Sequence, residues 1–331
     1  MAMHLNDATS GNGGTPSPAG AQLRVSVVIS AYTGERWDAL RDAVASVQAQ
    51  TRPAHQVIVS VDHNQALLEQ ARGAWPEGSV VLVENTEPQG LSGARNAGIS
   101  AATGDIVAFL DDDAAADPDW LEHLTPVFDD PAVVSAGGSL SPAWIEPRPA
   151  WFPREFDWVI GCSYTGMPTG RADVRNAIGA NMAFRREALG AVDGFHSGIG
   201  RDRGLPMGCE ETEISIRLRQ QQPGARIVYE PAAHVRHLVT PGRGTWNYFF
   251  TRCWAEGRSK ALLTDLVGSG DGLSSERTYA TRTLPLGVLH GLRDAVRGDA
   301  GGLGRAAAIT GGLLVTAAGY LRGTLARGRA A

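Results

Sequence analysis

Residues 105–113 read Asp-Ile-Val-Ala-Phe-Leu-Asp-Asp-Asp, a short apolar run that ends in three consecutive carboxylates. Such a run is typical of a strand that is buried on both faces of a sheet. Open α/β sheets bind their ligands at the carboxyl ends of these strands. Adjacent carboxylates repel one another, so a divalent cation is a natural compensating charge; an acidic turn in water is the alternative.

The same order of strand and helix recurs along the first half of the chain. Apolar runs predict strands at 25–31, 56–61, 79–84 and 106–110, and helical spacing predicts helices at 36–50, 65–72 and 92–102. Later signals predict a helix that opens at Asp117-Pro118-Asp119, strands at 132–138 and 180–184, and helices at 211–219 and 246–266. Alternating strands and helices indicate an α/β fold with a mostly parallel sheet covered on both faces.

Composition argues against several classes of protein. The 331 residues carry a formal net charge of −5 and no basic face, so nucleic acid is not an expected partner. Cys162, Cys209 and Cys253 are odd in number and lack CxxC spacing, which argues against a disulfide framework or a zinc site and favours a reducing cytoplasm. Residues 1–22 lack the apolar centre of a secretion signal and are expected to form a disordered tail.

The last part of the chain is rich in Ala, Gly, Leu and Arg. Its uncharged segment, residues 306–321, is shorter than the roughly 20 apolar residues that a membrane-spanning helix needs. The arginines that flank this segment are Arg305, Arg322, Arg327 and Arg329. Two placements remain open: a helix that lies on the inner face of an anionic membrane, and a helix that packs against the rest of the protein.

Several segments occur in the order of one enzyme family. They read Val-Val-Ile-Ser-Ala-Tyr at 27–32, Ala-Ser-Val-Gln-Ala-Gln at 45–50, Val-Ser-Val-Asp at 59–62, Gly-Leu-Ser-Gly-Ala-Arg-Asn-Ala-Gly at 90–98, Phe-Leu-Asp-Asp-Asp at 109–113, Gly-Ala-Asn-Met-Ala-Phe-Arg at 179–185 and Glu-Glu-Thr-Glu at 210–213. The chain thereby resembles the inverting glycosyltransferases of family 2, bacterial type. This resemblance implies a GT-A fold, which is Rossmann-like with a mixed, mostly parallel sheet. It implies a catalytic domain at 23–268 and a helical C-terminal extension at 269–331.

The resemblance also implies which residues contact a nucleotide-sugar donor. Asp62 would contact the base, Ala31 and Tyr32 would line its pocket, and Arg95 would reach a phosphate. The other predicted donor-binding residues are Asp111, Asp112 and Asn181. From the residues alone, Asp62 could instead cap the helix that follows it, and Arg95 could lie at the surface.

A divalent Mn²⁺ or Mg²⁺ ion is implied as the cofactor, because a leaving nucleoside diphosphate carries charge that must be neutralised. Asp111 and Asp113 resemble the two ends of the family's Asp-x-Asp motif, and Asp113 is the expected direct ligand. A third ligand is expected at His237, with His234 as the alternative. A lone histidine is more often structural, so this choice depends on the fold.

Inverting transfer needs one carboxylate that takes the proton from the acceptor hydroxyl. Glu210 and Glu211 resemble the family's acidic pair at a helix start, and Glu211 is the expected base. Glu211 stands where the family usually has Asp, so its side chain is one methylene longer. Carboxylates at a helix start also complement the helix dipole, which is the structural alternative. Glu213 is expected to be a helix residue rather than a catalyst.

Two further groups of residues are predicted to contact the substrates. Residues 139–175 are expected to form long loops whose side chains contact sugar rings or an apolar aglycone, namely Trp151, Phe156, Asp157, Trp158 and Tyr164. A second group is expected to close over the diphosphate: Trp246, Tyr248, Arg252, Arg258 and Lys260. Core packing explains the aromatic residues equally well.

Together these patterns predict a cytoplasmic, metal-dependent, inverting glycosyltransferase, hexosyltransferase-like, with a nucleotide-sugar donor of the UDP type. The acceptor would be a hydroxyl on a small molecule, a glycan or a lipid-linked glycan. A nucleotidyltransferase acting on a sugar phosphate is one alternative, but residues 31–36 supply a single Gly where such an enzyme has a Gly-rich basic loop. A non-catalytic nucleotide-sugar-binding module is the other, against which the intact carboxylates argue.

Overall fold

The computed structural model describes residues 22–197, 199, 207–268 and 278–327. The predicted disordered tail, apart from residue 22, lies outside the described residues, and so does Arg329. The strands are β1 (Val25–Ala31), β2 (Gln56–Val61), β3 (Val81–Glu84), β4 (Ile106–Asp111), β5 (Ala114–Ala116), β6 (Val133–Trp144), β7 (Ala172–Asp173), β8 (Asn181–Arg185) and β9 (Arg226–Val239).

These strands form one mixed sheet in the order β3-β2-β1-β4-β8-β6-β9-β5, with β7 paired to β9. The pairs β1–β2, β2–β3, β1–β4 and β6–β9 are parallel, whereas β8 is antiparallel to both β4 and β6. The first four strands therefore end at one edge of the sheet, and β4 delivers its carboxylates there. The predicted α/β class with a mostly parallel sheet is confirmed.

Helices cover both faces of the sheet. They are α1 (Trp37–Gln48), α2 (Gln65–Ala74), α3 (Leu91–Ala101), α4 (Trp120–Leu124), α5 (Arg186–Ala191), α6 (Glu210–Gln221), α7 (Trp246–Val267), α8 (Leu284–Val296) and α9 (Gly301–Arg327). Strand β1 shows why both faces are needed: Val27 and Ile29 belong to one hydrophobic core, and Val28 belongs to the other. Helix α3 lies close on β1, because a Cβ on Gly98 would be 2.3 Å from Val28 Cγ1.

Two local predictions were wrong. The strand predicted at 132–138 is present as β6, but it continues to Trp144, so the predicted loop at 139–175 begins as strand paired with β9. The helix predicted to open at Asp117 begins at Trp120, and its N-cap Asp119 makes no side-chain capping bond. The Asp117 carboxylate is instead engaged by His234 and Arg236 across the sheet, a contact with residues far along the chain.

The C-terminal helices pack against the rest of the protein. Leu284 of α8 and Ile309 of α9 belong to the larger hydrophobic core. Helix α9 lies directly on α7, where a Cβ on Gly257 would be 2.0 Å from the Thr316 carbonyl oxygen. In the part of the chain that the structure describes, we find no helix with the length and hydropathy required to cross a bilayer.

Candidate active site

The acidic cluster lies where β4 ends and the chain turns into β5. Because β5 pairs antiparallel with β9, Ala114 lies opposite His237, and the His237 side chain comes beside Asp113. Asp113 Oδ1 is 3.0 Å from His237 Nε2. Potential ligand atoms of Asp111, Asp113 and His237 all lie within 4.8 Å of one another. Two carboxylates and an imidazole form a donor set that suits Mn²⁺.

The His237 ring is enclosed by its neighbours. Its Nδ1 is buried and has no hydrogen-bond partner among the described residues. Gly161 lies against the ring: it has φ +76°, and a Cβ there would be 3.1 Å from His237 Cε1. A buried polar atom without a partner costs free energy unless water or an ion satisfies it, so this ring is suited to an additional ligand.

His234, the alternative ligand, is already committed elsewhere. Its Nδ1 is 2.6 Å from Asp117 Oδ2, and its Nε2 is 2.9 Å from Ser141 Oγ. Both ring nitrogens therefore have protein partners. The geometry favours His237 over His234 as the third member of the cluster.

Two arginines that sequence reasoning missed contact the acidic cluster. Arg243 Nη2 is 2.7 Å from Asp113 Oδ2, and Arg36 Nη1 is 3.1 Å from the same oxygen. Arg36 also pairs with Asp112 Oδ1 at 2.9 Å. Arg36 precedes α1 and Arg243 follows β9, so 207 positions separate them in sequence and no motif spacing links them. Only the position of each just beyond a strand end could have suggested a role.

The charges around Asp112 and Asp113 shift their pKa values in opposite directions. Burial would raise the pKa of Asp113, but the hydrogen bond from His237 and the charges of His237, Arg243 and Arg36 hold it well below its usual range. Burial, together with the neighbouring Asp113 carboxylate, raises the pKa of Asp112 to about 6. Asp113 is therefore the carboxylate that remains ionised, as a cation ligand must be.

Arg95 connects the acidic cluster to the glutamate pair. It lies in α3, its side chain is buried, and its Nη1 is 3.1 Å from Glu210 Oε1. Its Nη2 is 3.5 Å from Asp111 Oδ1 and donates to the Gly179 carbonyl at 3.2 Å. The surface position considered for Arg95 is thus wrong. The Arg95 guanidinium therefore contacts three parts of the chain: the end of β4, the turn before β8 and the start of α6.

The glutamate pair begins α6 after a residue in an unusual backbone conformation. Cys209 has φ +76°, a region that non-glycine residues rarely adopt. Glu210 accepts from Arg95 through Oε1, while its Oε2 is buried without a partner among the described residues. Burial, followed by the charge of Glu210, raises the pKa of Glu211 to about 8. Such a carboxylate is suited to accept a proton near neutral pH.

Glu213 behaves as expected for a helix residue. It is buried and forms an ion pair with Arg217 one turn later, at 2.8 Å. Arg217 also donates to the Gly194 carbonyl and so ties α6 to the segment after α5. These contacts direct the Glu213 carboxylate to Arg217 and not to the acidic cluster.

Asp62 lies at the end of β2 in a ring of donors. Its Oδ1 accepts from Asn85 Nδ2 at 2.7 Å and its Oδ2 accepts from the Gly90 amide at 3.0 Å. The alternative that Asp62 caps α2 is wrong, because Asn64 caps that helix by accepting from the Leu67 amide. Asp62 is thus positioned at the sheet edge near Tyr32, which is 52% exposed.

Two residues of the predicted donor-binding set are enclosed in the protein. Ala31 is buried in the larger core, so its side chain does not line an open pocket. Asn181 has no exposed surface: its Nδ2 donates to the Ser139 and Ala233 carbonyls, and its Oδ1 accepts from Trp120 Nε1. Asn181 therefore braces β8 against its neighbours, and its predicted contact with the donor has no support in this geometry.

The aromatic residues between β6 and β8 mostly pack on helix α7 and on the residues before α8. Trp151 stacks on Trp246 with ring centroids 3.8 Å apart, and Phe156 is buried against Phe249. Trp158 Nε1 donates to Tyr279 Oη. Core packing thus accounts for these residues, and the predicted sugar contacts stay a prediction.

The predicted contact of the basic α7 residues with the diphosphate stays a prediction, and one of these residues has an acidic partner. Lys260 pairs with Glu256 at 3.1 Å, and Glu256 lies 3.8 Å from Cys209 Sγ, immediately before the glutamate pair. The Arg252 side chain is buried. The Lys260–Glu256 pair therefore lies close to the start of α6.

Comparison with known proteins finds matches among enzymes that transfer sugars. Residues 26–192 match the family described as Glycosyl transferase family 2. The chain is 33% identical over 243 residues to the glucosyl-dolichyl phosphate glucuronosyltransferase of Haloferax volcanii, covering 73% of this chain and 77% of that protein.

Solved structures show the same fold. The mannosyltransferase PcManGT from Pyrobaculum calidifontis, in complex with GDP-Man and Mn²⁺, matches with a TM-score of 0.56 and 18% identity over 91% of this chain and 89% of that chain. GalNAc-T7 with UDP, GalNAc and Mn²⁺ matches with a TM-score of 0.51 and 19% identity over 71% of this chain, which spans 48% of that chain. At these identities the likeness concerns the fold, and it confirms the predicted GT-A architecture.

Proposed function

The chain belongs to glycosyl transferase family 2 and is a glycosyltransferase, and from this premise we propose that it is a metal-dependent, inverting enzyme that uses a UDP-sugar. The observation that carries the proposal is the bridge made by Arg95. This one buried guanidinium contacts both Asp111 of the acidic cluster and Glu210 of the glutamate pair. The groups needed for diphosphate departure and for proton removal therefore belong to one connected site.

The residues present suit a Mn²⁺ or Mg²⁺ ion. Asp111, Asp113 and His237 would hold it, since their ligand atoms are close together and His237 Nδ1 lacks a partner among the described residues. A bound divalent ion would supply positive charge that neutralises the departing diphosphate. Arg36 and Arg243 hold Asp113 ionised, and their positive charge beside the same oxygen is available to phosphate groups.

Glu211 is proposed as the base. Its raised pKa, about 8, makes its carboxylate a good acceptor for a hydroxyl proton near neutral pH. Glu210 is held by Arg95 and places its negative charge next to Glu211, so its proposed role is to tune and position the base. A single base and a single displacement invert the configuration at the anomeric carbon.

The donor base is proposed to contact Asp62, and the donor face of the site to include Tyr32, Asp111 and Asp112. The N3–H of uracil and the N1–H of guanine can each donate to a carboxylate, so Asp62 alone does not choose between them. The named acceptor of the Haloferax volcanii relative is a lipid-linked sugar. We propose an acceptor of the same class here, a hydroxyl on a lipid-linked glycan.

The catalytic unit is proposed to span residues 23–268, with 269–331 as the C-terminal extension. The proposed location is the cytoplasm. The described structure contains three free and buried thiols, at Cys162, Cys209 and Cys253, which suits a reducing compartment.

The proposal is tested with the purified full chain, Mn²⁺ and a panel of UDP- and GDP-sugars that includes UDP-glucuronate. Release of nucleoside diphosphate that requires both Mn²⁺ and a lipid-linked acceptor, with a product of inverted anomeric configuration by NMR, is the expected result. Release of pyrophosphate would instead indicate nucleotidyl transfer. A product with retained configuration would contradict the role of Glu211.

A variant sharpens the base assignment. We expect Glu211→Gln to lower the transfer rate about 10²- to 10⁴-fold, because the amide cannot accept the proton. Its affinity for the donor, measured by calorimetry, should stay within about threefold of the wild-type value, since the change leaves the acidic cluster intact. Glu187→Gln, at an exposed position in α5, is the matched control and should leave both quantities unchanged.

A further inference from the structure

Exposed apolar side chains concentrate on the last two helices. In the described part of the chain, the large apolar residues at the surface of α8 and α9 are Leu286, Leu289, Leu292, Val296, Leu303, Leu313, Leu314, Leu321 and Leu325. We call these nine residues the apolar stripe. The other exposed large apolar residues are only Tyr32, Ile145, Trp246 and Leu266, among the residues described. Scattered apolar residues are normal at a surface, but a concentration of this kind indicates an interaction surface.

The stripe follows the helical repeat on α9. Leu303, Leu314, Leu321 and Leu325 are spaced by 11, 7 and 4 residues, which places them on one face of the helix. The opposite face carries Gly312, where a Cβ would be 2.6 Å from Phe156 Cε1. Helix α9 therefore packs through its small residues and leaves its leucines directed away from the protein.

Helix α8 also packs through small residues on one side and exposes large apolar residues on the other. Gly287 and Gly291 are buried, and a Cβ on Gly291 would lie 2.7 Å from the Gly302 carbonyl of α9. Leu289, 59% exposed, and Val296, 90% exposed, lie on the other side of the helix. In both helices glycines make close internal contacts, while the residues of the apolar stripe face solvent.

Positive charge accompanies the stripe. After residue 277 the chain contains seven arginines and two aspartates, although the whole chain has a formal net charge of −5. Both aspartates, Asp294 and Asp299, pair with Arg305. Arg293 and Arg297 are exposed and have no acidic partner among the described residues. The surface that carries the stripe is therefore the basic end of an otherwise acidic protein.

We propose that α8 and α9 lie on an anionic lipid surface, with the apolar stripe among the acyl chains and Arg293, Arg297 and Arg322 at the headgroups. An amphipathic helix with a basic flank binds such a surface through buried apolar area and charge attraction together. Association of two copies through the same face is disfavoured, because it would bring two positive surfaces together. The proposal is independent of the transferred sugar and of the acceptor.

The test is flotation of the purified full chain with vesicles, without donor, metal or acceptor. We expect binding to vesicles of phosphatidylcholine mixed with phosphatidylglycerol and much weaker binding to phosphatidylcholine alone. Added salt should weaken the binding, since screening acts on the charge attraction. These measurements do not involve catalysis, so their failure is separate from a failure of the proposed function.

Variants at exposed positions test each half of the proposal. Leu314→Gln combined with Leu321→Gln and Leu325→Gln should weaken partitioning about a hundredfold, because three apolar side chains no longer enter the bilayer. Arg293→Gln combined with Arg297→Gln should weaken it about 25-fold on anionic vesicles, or about fivefold per arginine. Leu266→Gln and Ile145→Gln, which change exposed apolar residues outside the stripe, are the controls and should bind like the wild type.

Circular dichroism and transfer activity establish that each variant is folded. Equal binding by the wild type and the triple leucine variant would overturn the proposal. A chain that does not float but sediments as a dimer, which the leucine changes dissociate, would also overturn it and assign the stripe to a second copy.

Discussion

Two regions of the molecule are stabilised in different ways. The first, here called the floor, is Asp113 with its partners His237, Arg243 and Arg36. The second, here called the seam, is the contact between α7 and α9 at Gly257 and Gly319. In the floor, Asp113 is bound by His237, Arg243 and Arg36 through directional contacts of 2.7 to 3.1 Å. In the seam, Gly257 and Gly319 allow the backbones of α7 and α9 to touch, since a Cβ on Gly319 would lie 2.4 Å from the Trp254 carbonyl oxygen. Burial of charge is costly unless each group is paired, whereas close backbone contact needs only the absence of a side chain.

This difference predicts how each region responds to substitution. A change in the floor should alter binding and chemistry while the hydrophobic cores remain intact. A change in the seam should lower the free energy of unfolding while the folded molecules keep their chemistry. A floor variant that only lowers the free energy of unfolding, or a seam variant that only lowers activity, would contradict this expectation.

The largest effect is expected from Asp113→Asn. The amide keeps the shape of the side chain but removes the charge that a divalent ion requires, so transfer should fall about 10³-fold or more. The initial rate of diphosphate release at saturating Mn²⁺ measures this. Asp129→Asn, an exposed position close by in sequence, is the control and should retain the wild-type rate. Full activity in Asp113→Asn would show that the Asp113 carboxylate is not needed for transfer and would contradict its proposed role as a metal ligand.

The next effect distinguishes the two histidines. His237→Gln should weaken Mn²⁺ binding about 10- to 100-fold, since it removes a proposed ligand of the ion. His234→Gln should leave Mn²⁺ affinity unchanged, because that ring is bound to Asp117 and Ser141. Isothermal titration with Mn²⁺ reports both affinities. The reverse order of effects would exchange the two assignments.

A smaller effect concerns pH. Because burial and Glu210 raise the pKa of Glu211 to about 8, the base is largely protonated at lower pH. The value of kcat/KM should therefore rise about tenfold per pH unit below pH 8 and level off above it. In Glu211→Gln this rise should be absent from the residual rate. A rise centred near 4.5, the ordinary pKa of a glutamate, would show that Glu211 is not perturbed in solution.

The smallest effect is expected in the seam. A Cβ on Gly257 would lie 2.0 Å from the Thr316 carbonyl oxygen, so Gly257→Ala should lower the free energy of unfolding by about 1–3 kcal/mol. Urea unfolding measures this change, and the specific activity of the folded protein should be retained. Gly73→Ala in α2, where no atom lies within 4 Å of the added Cβ, should instead stabilise the protein by up to about 1 kcal/mol. Equal responses would mean that the seam is not tightly packed.

Local patterns predicted much of the fold. The run from Ile106 to Leu110 was correctly identified as a strand buried on both faces, since its apolar character is continuous. The Asp117 helix start was wrong, because the signal used was a local capping preference and the carboxylate is engaged by β9 instead. Capping preferences compete with contacts from distant residues, which no local window contains.

The site shows the same division. Asp111, Asp113 and the glutamate pair were recognisable because each lies in a short motif at the end or start of an element. Arg36 and Arg243 were not, since each is a single arginine without neighbours that mark it. Asn181 was assigned to the donor from its motif, yet its amide is used entirely by the surrounding backbone and Trp120.

By itself the order of apolar runs and carboxylates determined an α/β chain, a strand that ends in an acidic cluster, and membership of a sugar-transferring family. Such features depend on neighbouring residues, whose spacing sets strand burial and helix periodicity. Tertiary structure alone decided that His237 rather than His234 lies at Asp113, and that Arg95 joins Asp111 to Glu210. These contacts depend on the register of β5 against β9 and on the packing of α3, which bring together residues up to 124 positions apart.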